Sequence, residues 1–409
     1  MKKCPPLLAG YNSCLRVNLD GPLNPCSMNF GPMNRVYTQV AQGQGWLRRY
    51  VGHRPRLACI LGFTETGLIP GISAAGSTPQ QRQTTAIADA EFLFHGPTPA
   101  PQHPLPPLVE GVSPALISRA VIATQLIPLL IFDAGLPLAP TVPHIDLRGA
   151  AAACVSSGQA LPRSLVESLF RFGIMWGHRL GSQTGSDYVI LGECVVGGTT
   201  TALALLLGLG LPVQNQVGSS HATCNHSQKQ AIATQGLAHW QAQQASGRSL
   251  DPLDLVAAIG DPMQVVVAAM ALSASCHGGV MLAGGTQMLA VYALARSLAR
   301  YRRVSWQPEK IIVGTTRWVA EDPTCDTVGL ADLVGGVPLV ATQLSFAESR
   351  YPALRQYEAG FVKEGVAAGG CAIAANIYQN WQQSQLLSAI EALYEKTLNQ
   401  PTSSPERSV

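Results

Sequence analysis

One run of this sequence has the residue types and the spacing to bind an anion: Gly192-Glu193-Cys194-Val195-Val196-Gly197-Gly198-Thr199-Thr200-Thr201. The residues before it, Tyr188–Leu191, are apolar and partly β-branched, and Ala202–Leu207 after it reads as helix. A strand, a glycine turn and a helix opened by hydroxyls together present free backbone N–H groups to a phosphate. Gly197 and Gly198 let the main chain come close to that anion with no Cβ in the way. A P-loop would carry lysine after its second glycine, but Gly198 is followed by threonine, which argues against ATP hydrolysis. The Gly-x-Gly-x-x-Gly of a dinucleotide site is also absent, and a tight turn with no ligand is the plain alternative.

Other chemistry-bearing residues are dispersed. Glu364 lies in Phe361–Gly370, beside small residues at the entry to an alanine-rich helix, where a carboxylate can face a cavity and act as a base. A solvated pair with Lys363 is the alternative. Glu193 sits inside the phosphate turn and must point away from the anion, orienting backbone groups or a ribose hydroxyl. Lys229 stands in a polar helix beyond Gly218-Ser219-Ser220 and could reach a phosphate as a point charge, or could be an ordinary surface lysine. His221, Cys224 and His226 are ligand types, but their spacing fits no common zinc pattern, so no metal is expected.

The elements that must position these residues alternate between short apolar runs and helices. Strands are expected at Leu57–Gly62, Val280–Ala283, Ile311–Gly314 and Val337–Leu344, with a mostly apolar segment at 119–132. Helices are expected at 162–180, 228–246 and Leu386–Leu398, and one starts at Asp251-Pro252, an N-cap followed by proline. The segment 96–107 reads as an exposed loop. This alternation implies an α/β fold, doubly wound, with a mainly parallel sheet covered by helices on both faces. Ligands then sit at the carboxyl ends of strands, where the glycine turn falls. We expect a single large domain over 1–395, irregular over its first fifty residues, and a disordered tail at 396–409.

Residues 262–295 contain no Asp, Glu, Lys or Arg, a length that could cross a bilayer. Pro262, Gly278-Gly279 and Gly284-Gly285 divide the run into helix-like Met263–Ser275, a short Val280–Ala283 and helix-like Gln287–Arg300. That is a buried strand with covering helices, and no membrane partner is expected. The 409 residues carry a net charge of only +3, with 12% charged and 47% hydrophobic residues, which disfavours nucleic acid as a partner. The ten cysteines include no Cys-x-x-Cys pair and imply a reducing compartment. The N-terminal residues break at Gly10-Tyr11-Asn12 before any apolar stretch of useful length, so cytoplasm is the expected location.

Taken together, the motifs resemble the nicotinate-nucleotide–dimethylbenzimidazole phosphoribosyltransferase family, particularly its archaeal and cyanobacterial branch. The resemblance rests on Gly62–Thr66 through Gly71–Gly76 to Ala88–Leu93, on the 192–201 run, on Asp251–Asp254 through Gly284–Met288, on Thr315–Trp318 through Glu321–Pro323, and on Lys363–Gly365. It implies a homodimer that joins nicotinate mononucleotide to a benzimidazole-type base, giving an α-ribazole phosphate and nicotinate. Glu364 would be the general base. Gly197, Gly198, Thr199 and Thr200 would hold the 5′-phosphate, with Lys229 as a helper and Glu193, Gly284 and Gly285 at the nucleotide. Ser73, with Gln80 or Gln81, would contact the base. No cofactor or metal is implied. The chain departs from the bacterial pattern at Val195 and Gly198, where Gly and Asn are usual. It departs again at Val366-Ala367, in place of Ser/Thr-Gly, which narrows the space beside the base and leaves its identity among dimethylbenzimidazole, adenine or a phenol open. A transferase using PRPP would carry two adjacent acidic residues before the Thr-rich loop, and none precede Thr199. A non-catalytic nucleotide-binding protein remains the other alternative.

Overall fold

Segments such as Tyr188–Cys194 and Ile311–Thr316 are buried at every residue, as strands covered on both faces must be. The computed structural model describes residues 33–400, apart from 107, 109, 185, 186 and 244–250. Among these, eight strands form one sheet: β1 (Asn34–Val36), β2 (Arg56–Leu61), β3 (Leu129–Asp133), β4 (Ile145–Asp146), β5 (Tyr188–Cys194), β6 (Gly279–Ala283), β7 (Ile311–Thr316) and β8 (Leu339–Thr342). Their order is β1-β8-β7-β6-β5-β2-β3-β4, and only β1 runs antiparallel to its neighbour.

From β2 the chain winds outward to β3 and β4, returns to β5, and then winds the other way through β6, β7 and β8. The carboxyl ends of β2 and β5, paired at Leu61 and Cys194, therefore flank the point where strand order reverses. Val280, Leu282, Ile311 and Val313 join a core with the helices Arg163–Thr184, Pro262–Ser275 and Thr286–Arg302. On the opposite face, Met281 and Ala283 meet the helix Ala368–Gln379, so close that a Cβ at Gly370 would lie 2.4 Å from that of Ala283. The fold is a doubly wound α/β sheet with helices on both faces, as the pattern implied.

The charge-free run 262–295 folds as helix, strand, helix. Pro262–Ser275 is buried at every residue except Ser273, because it lies between the sheet and the Arg163–Thr184 helix. Double burial explains its lack of charge, and among the described residues no helix is long and apolar enough to cross a membrane. Asp251 caps its helix as expected, accepting from the Leu253 N–H. The irregular reading of the first fifty residues needs correction where it is described: β1 and the helix Val40–Arg49 form there. β1 has only three residues and draws its hydrogen bonds from β8, some 300 positions away, while Trp46 and Leu47 bury one side of the helix. Residues 1–32 lie outside the described part. At the other end the helix Gln383–Leu398 runs into the expected tail, whose residues 401–409 are likewise outside it. The polar helix spans His226–Ala242, short of the expected end at 246, and residues 244–246 are not described. No helix or strand forms within 96–106.

Candidate active site

A cavity of about 560 Å³ opens at the carboxyl ends of the strands around the reversal point. One wall is the turn after β5. Gly197 takes φ of +85°, and a Cβ there would lie 2.8 Å from the Gly67 nitrogen. This turn delivers the chain into the helix Gly198–Gly208. Gly198 N–H donates to Val195 O and Thr200 N–H to Gly197 O. Among the described residues the N–H groups of Val196, Gly197 and Thr199 have no protein acceptor, and all three residues line the cavity. Thr200 does not line it. Its side chain is buried behind the turn, and its hydroxyl has no partner among the described groups.

The other wall carries Glu364. Its Oε2 accepts from the Thr315 hydroxyl (3.1 Å) and Thr316 N–H (2.9 Å), and its Oε1 from Gly365 N–H (3.1 Å) and Gly369 N–H (3.0 Å). Four donors fix the carboxylate, yet burial outweighs them and pushes its pKa up to about 7. Glu193, buried at the end of β5, accepts from Val195 N–H and from Gln287. Burial, then the charge of Glu364, pushes it up to about 8. Both causes favour the protonated carboxyl, which lessens the negative charge that its sequence position threatened.

The segment bearing Glu364 is bent hard. Lys363 N–H donates to Phe361 O and Glu364 N–H to Val362 O, giving two successive three-residue turns with positive φ at Val362 (+70°) and Lys363 (+63°). Lys363 is buried and paired with Asp322. Val366 lines the cavity, whereas the Ala367 methyl points at Gly192.

The remaining expected residues divide. Ser73 lines the cavity and lies 3.4 Å from the Ser220 hydroxyl, joining loops 71–77 and 218–222. Gly285 also lines it, whereas Gly284 does not. Gln80 and Gln81 are off the wall: Gln80 is exposed, and Gln81 Oε1 accepts from Ser77. Thr78 caps the helix Pro79–His95 and sets its phase, so Arg82, Thr85 and Asp89 face the cavity instead. Arg82 is buried and donates to the carbonyls of Gly67, Leu68 and Gly76. Asp89 accepts from Ser113 and Cys194, and burial pushes it up to about 6. The sequence signal for these residues was the Thr78-Pro79 helix start, which places positions 82, 85 and 89 on one face.

Lys229 is also not on the cavity wall. It is fully buried, and its ammonium donates to the carbonyls of Val217 and Gly218 at 2.7 Å each, holding the 217–220 loop from beneath. His221 and His226 are occupied by the carbonyls of Gly71 and Thr324. Cys224 instead meets Cys325 and Asp322, with ligand atoms all within 4.8 Å of one another. The Cys325 thiol donates to Cys224 and draws its thiol well below the ordinary value, while the same contact and burial push Cys325 up.

Residues 116–306 match the family model described as Phosphoribosyltransferase. A UPF0284 protein of Trichodesmium erythraeum is 60% identical over 366 residues, 88% of this chain and 98% of the relative. Another from Acaryochloris marina is 59% identical over 363 residues, covering 89% and 98%. Among solved structures, a nicotinate-nucleotide-dimethylbenzimidazole phosphoribosyltransferase from Thermus thermophilus shares the fold, with a TM-score of 0.51 at 17% identity over 87% of this chain and 92% of that one. The chain belongs to the UPF0284 family, part of it matches the Phosphoribosyltransferase model, and it shares its fold with the Thermus thermophilus enzyme.

Proposed function

We propose that the protein transfers the 5-phosphoribosyl group of nicotinate mononucleotide to a benzimidazole-type base, releasing nicotinate. The observation that carries this reading is the pairing, across one cavity, of a half-buried carboxylate near neutral pKa with a helix start whose N–H groups are free. The phosphate rests on the free N–H groups of Val196, Gly197 and Thr199, with Gly198 giving it room, where the helix dipole favours an anion. Glu364 takes the proton from one ring nitrogen of the base as the other attacks the anomeric carbon. The bond from that carbon to the nicotinate nitrogen breaks with inversion. The leaving group is already a pyridinium, so the departing electron pair neutralises it. Burial raises both carboxyls, and the four donors that fix Glu364 favour it as the one that ionises. Ser73 lies on the wall left for the base, the resemblance further implies a homodimer, and cytoplasm is the location expected from the cysteine usage.

The test is nicotinate release by the purified protein, given nicotinate mononucleotide and a panel of bases including dimethylbenzimidazole and adenine. Release that depends on the base, with an α-riboside phosphate as product, is the expected result. Glu364→Gln should lower kcat by about 10²–10⁴-fold, the usual worth of a general base, with nucleotide affinity unchanged. Normal turnover in that variant would remove Glu364 from the mechanism.

A further inference from the structure

We infer that Cys224, Cys325 and Asp322 form a binding site for a borderline-soft divalent cation of the zinc class in the wall of the cavity. Among the described residues these are the three side chains of ligand type whose donor atoms converge on one point, all within 4.8 Å of one another. Two sulfurs and one carboxylate oxygen select zinc over magnesium or calcium, which demand oxygen. Three protein ligands leave a tetrahedral ion one open position. Asp322 and Cys325 line the cavity while Cys224 lies buried behind them, so that position faces the cavity and takes water or an anionic oxygen.

The surroundings are built as outer ligand shells are. Asp322 Oδ1 accepts the Thr324 N–H (2.9 Å) and hydroxyl (2.8 Å), while Oδ2 accepts Lys363 and lies 4.0 Å from Cys224 Sγ. A carboxylate oxygen has two lone pairs, so Oδ2 keeps one for a metal without giving up Lys363. The Thr324 hydroxyl also lies 3.1 Å from Cys224 Sγ, and Cys224 N–H donates back to it. His226 fixes the same residue through its carbonyl. The two ligand-bearing loops, 218–225 and 322–325, are thus already tied in register, and the second shell that orients metal ligands is in place. Lys229 and Lys363 offset the negative charge of two thiolates and a carboxylate, and uptake of the cation releases the thiol protons. The ion would pin together two loops that wall the cavity, and the reaction proposed above makes no use of it.

Metal binding by the full chain, read without any turnover, tests this. The reduced protein, stripped with a chelator, is titrated with zinc against a chromophoric competitor, and with cobalt as a spectroscopic probe. One ion per chain, with an intense tetrahedral cobalt spectrum and a thiolate charge-transfer band, is the expected result. Cys224→Ser and Cys325→Ser should each abolish the band, and Asp322→Asn should weaken zinc by at least about tenfold. Cys276→Ser, at a half-buried thiol within reach of the Leu272 and Ser305 carbonyls, should change nothing. Urea unfolding of each variant separates lost ligation from lost folding. A cobalt spectrum without thiolate character, or wild-type zinc affinity in folded Cys224→Ser and Cys325→Ser, would overturn the site. So would a Cys224–Cys325 disulfide in a protein whose reduced form takes up no metal.

Discussion

The two walls of the cavity solve the same geometric problem with different residues. Where the turn after β5 needs a left-handed backbone, it has Gly197 at φ +85°, and the conformation costs little. Around Glu364 the left-handed positions fall on Val362 (+70°), Lys363 (+63°), Val366 (+52°) and Ala367 (+63°), with glycine only at 365. Each such non-glycine residue costs about 1–3 kcal/mol and persists only when its surroundings impose it. Here they do. The Thr316 hydroxyl holds Lys363 O at 2.6 Å, the Ser118 hydroxyl holds Val366 O at 2.6 Å, and Val366 N–H donates to Glu193 O at 3.1 Å. The phosphate wall is therefore a local structure written by its own residues. The carboxylate wall is assembled by β5, β7 and the helix Ala115–Thr124 from outside.

If that contrast is right, the carboxylate wall should be broken most completely from its support. A Cβ at Gly369 would lie 2.1 Å from the Thr315 carbonyl carbon and 2.5 Å from Glu364 Oε2, with backbone that cannot yield. Gly369→Ala should destabilise by about 3 kcal/mol, at the upper end of overpacking costs, and leave no measurable transfer in whatever protein folds. Denaturant midpoints with the nicotinate-release assay check both halves. Wild-type values would mean that the support is softer than its contacts imply.

The same contrast explains what was legible in the sequence. The strands β5, β6 and β7 and the glycine turn declared themselves because burial on both faces and glycine geometry are local signals. Gln80 and Gln81 were expected on the cavity, yet Arg82, Thr85 and Asp89 hold that face, since one helical step turns a side chain by about 100°. Lys229 read as a phosphate ligand by type, but its position under the 217–220 loop depends on carbonyls that no spacing rule exposes. Cys224 was weighed against its sequence neighbours His221 and His226, while its actual partners lie about a hundred positions away. β1 was missed for the same reason, its hydrogen bonds coming from β8.

Protonation offers a milder probe that leaves the sequence intact. Burial raises Glu364 from 4.5 to about 7 and Glu193 from 4.5 to about 8, so the folded state binds more protons than the unfolded one between those values. Stability should accordingly fall as pH rises from the ordinary carboxyl value through about 8. Glu193→Gln should flatten the upper part of that slope, as followed by unfolding at a series of pH values. Transfer should move the opposite way, rising with pH through about 7 as Glu364 ionises, and a kcat that is level across neutral pH would dissociate the base from Glu364.

A gentler substitution tests whether strain resides on the Glu364 side at all. Ala367→Gly relieves a left-handed alanine worth about 1–2 kcal/mol but adds freedom to the unfolded chain and removes a buried methyl facing Gly192. The unfolding free energy read from denaturant titration should change by less than about 1 kcal/mol, because the relieved strain is offset by those two losses. A clear loss would place the packing of that methyl above the backbone term and would shrink the contrast between the walls.

The smallest expected effect discriminates within the phosphate wall itself. Thr199 lines the cavity, whereas Thr200 is fully buried with an unpartnered hydroxyl. Replacing an unsatisfied buried hydroxyl with a methyl of the same shape is close to neutral or stabilising, because no hydrogen bond is lost and a desolvation cost disappears. Thr200→Val should leave nicotinate mononucleotide affinity unchanged and stability equal to or slightly above wild type. Thr199→Val should weaken the nucleotide several-fold by calorimetry, since the backbone N–H groups remain and only one hydroxyl contact is lost. Should Thr200→Val be the variant that loses affinity, the hydroxyl turns outward when the anion binds, and the glycine turn is then a wall that moves while the strained segment stays fixed.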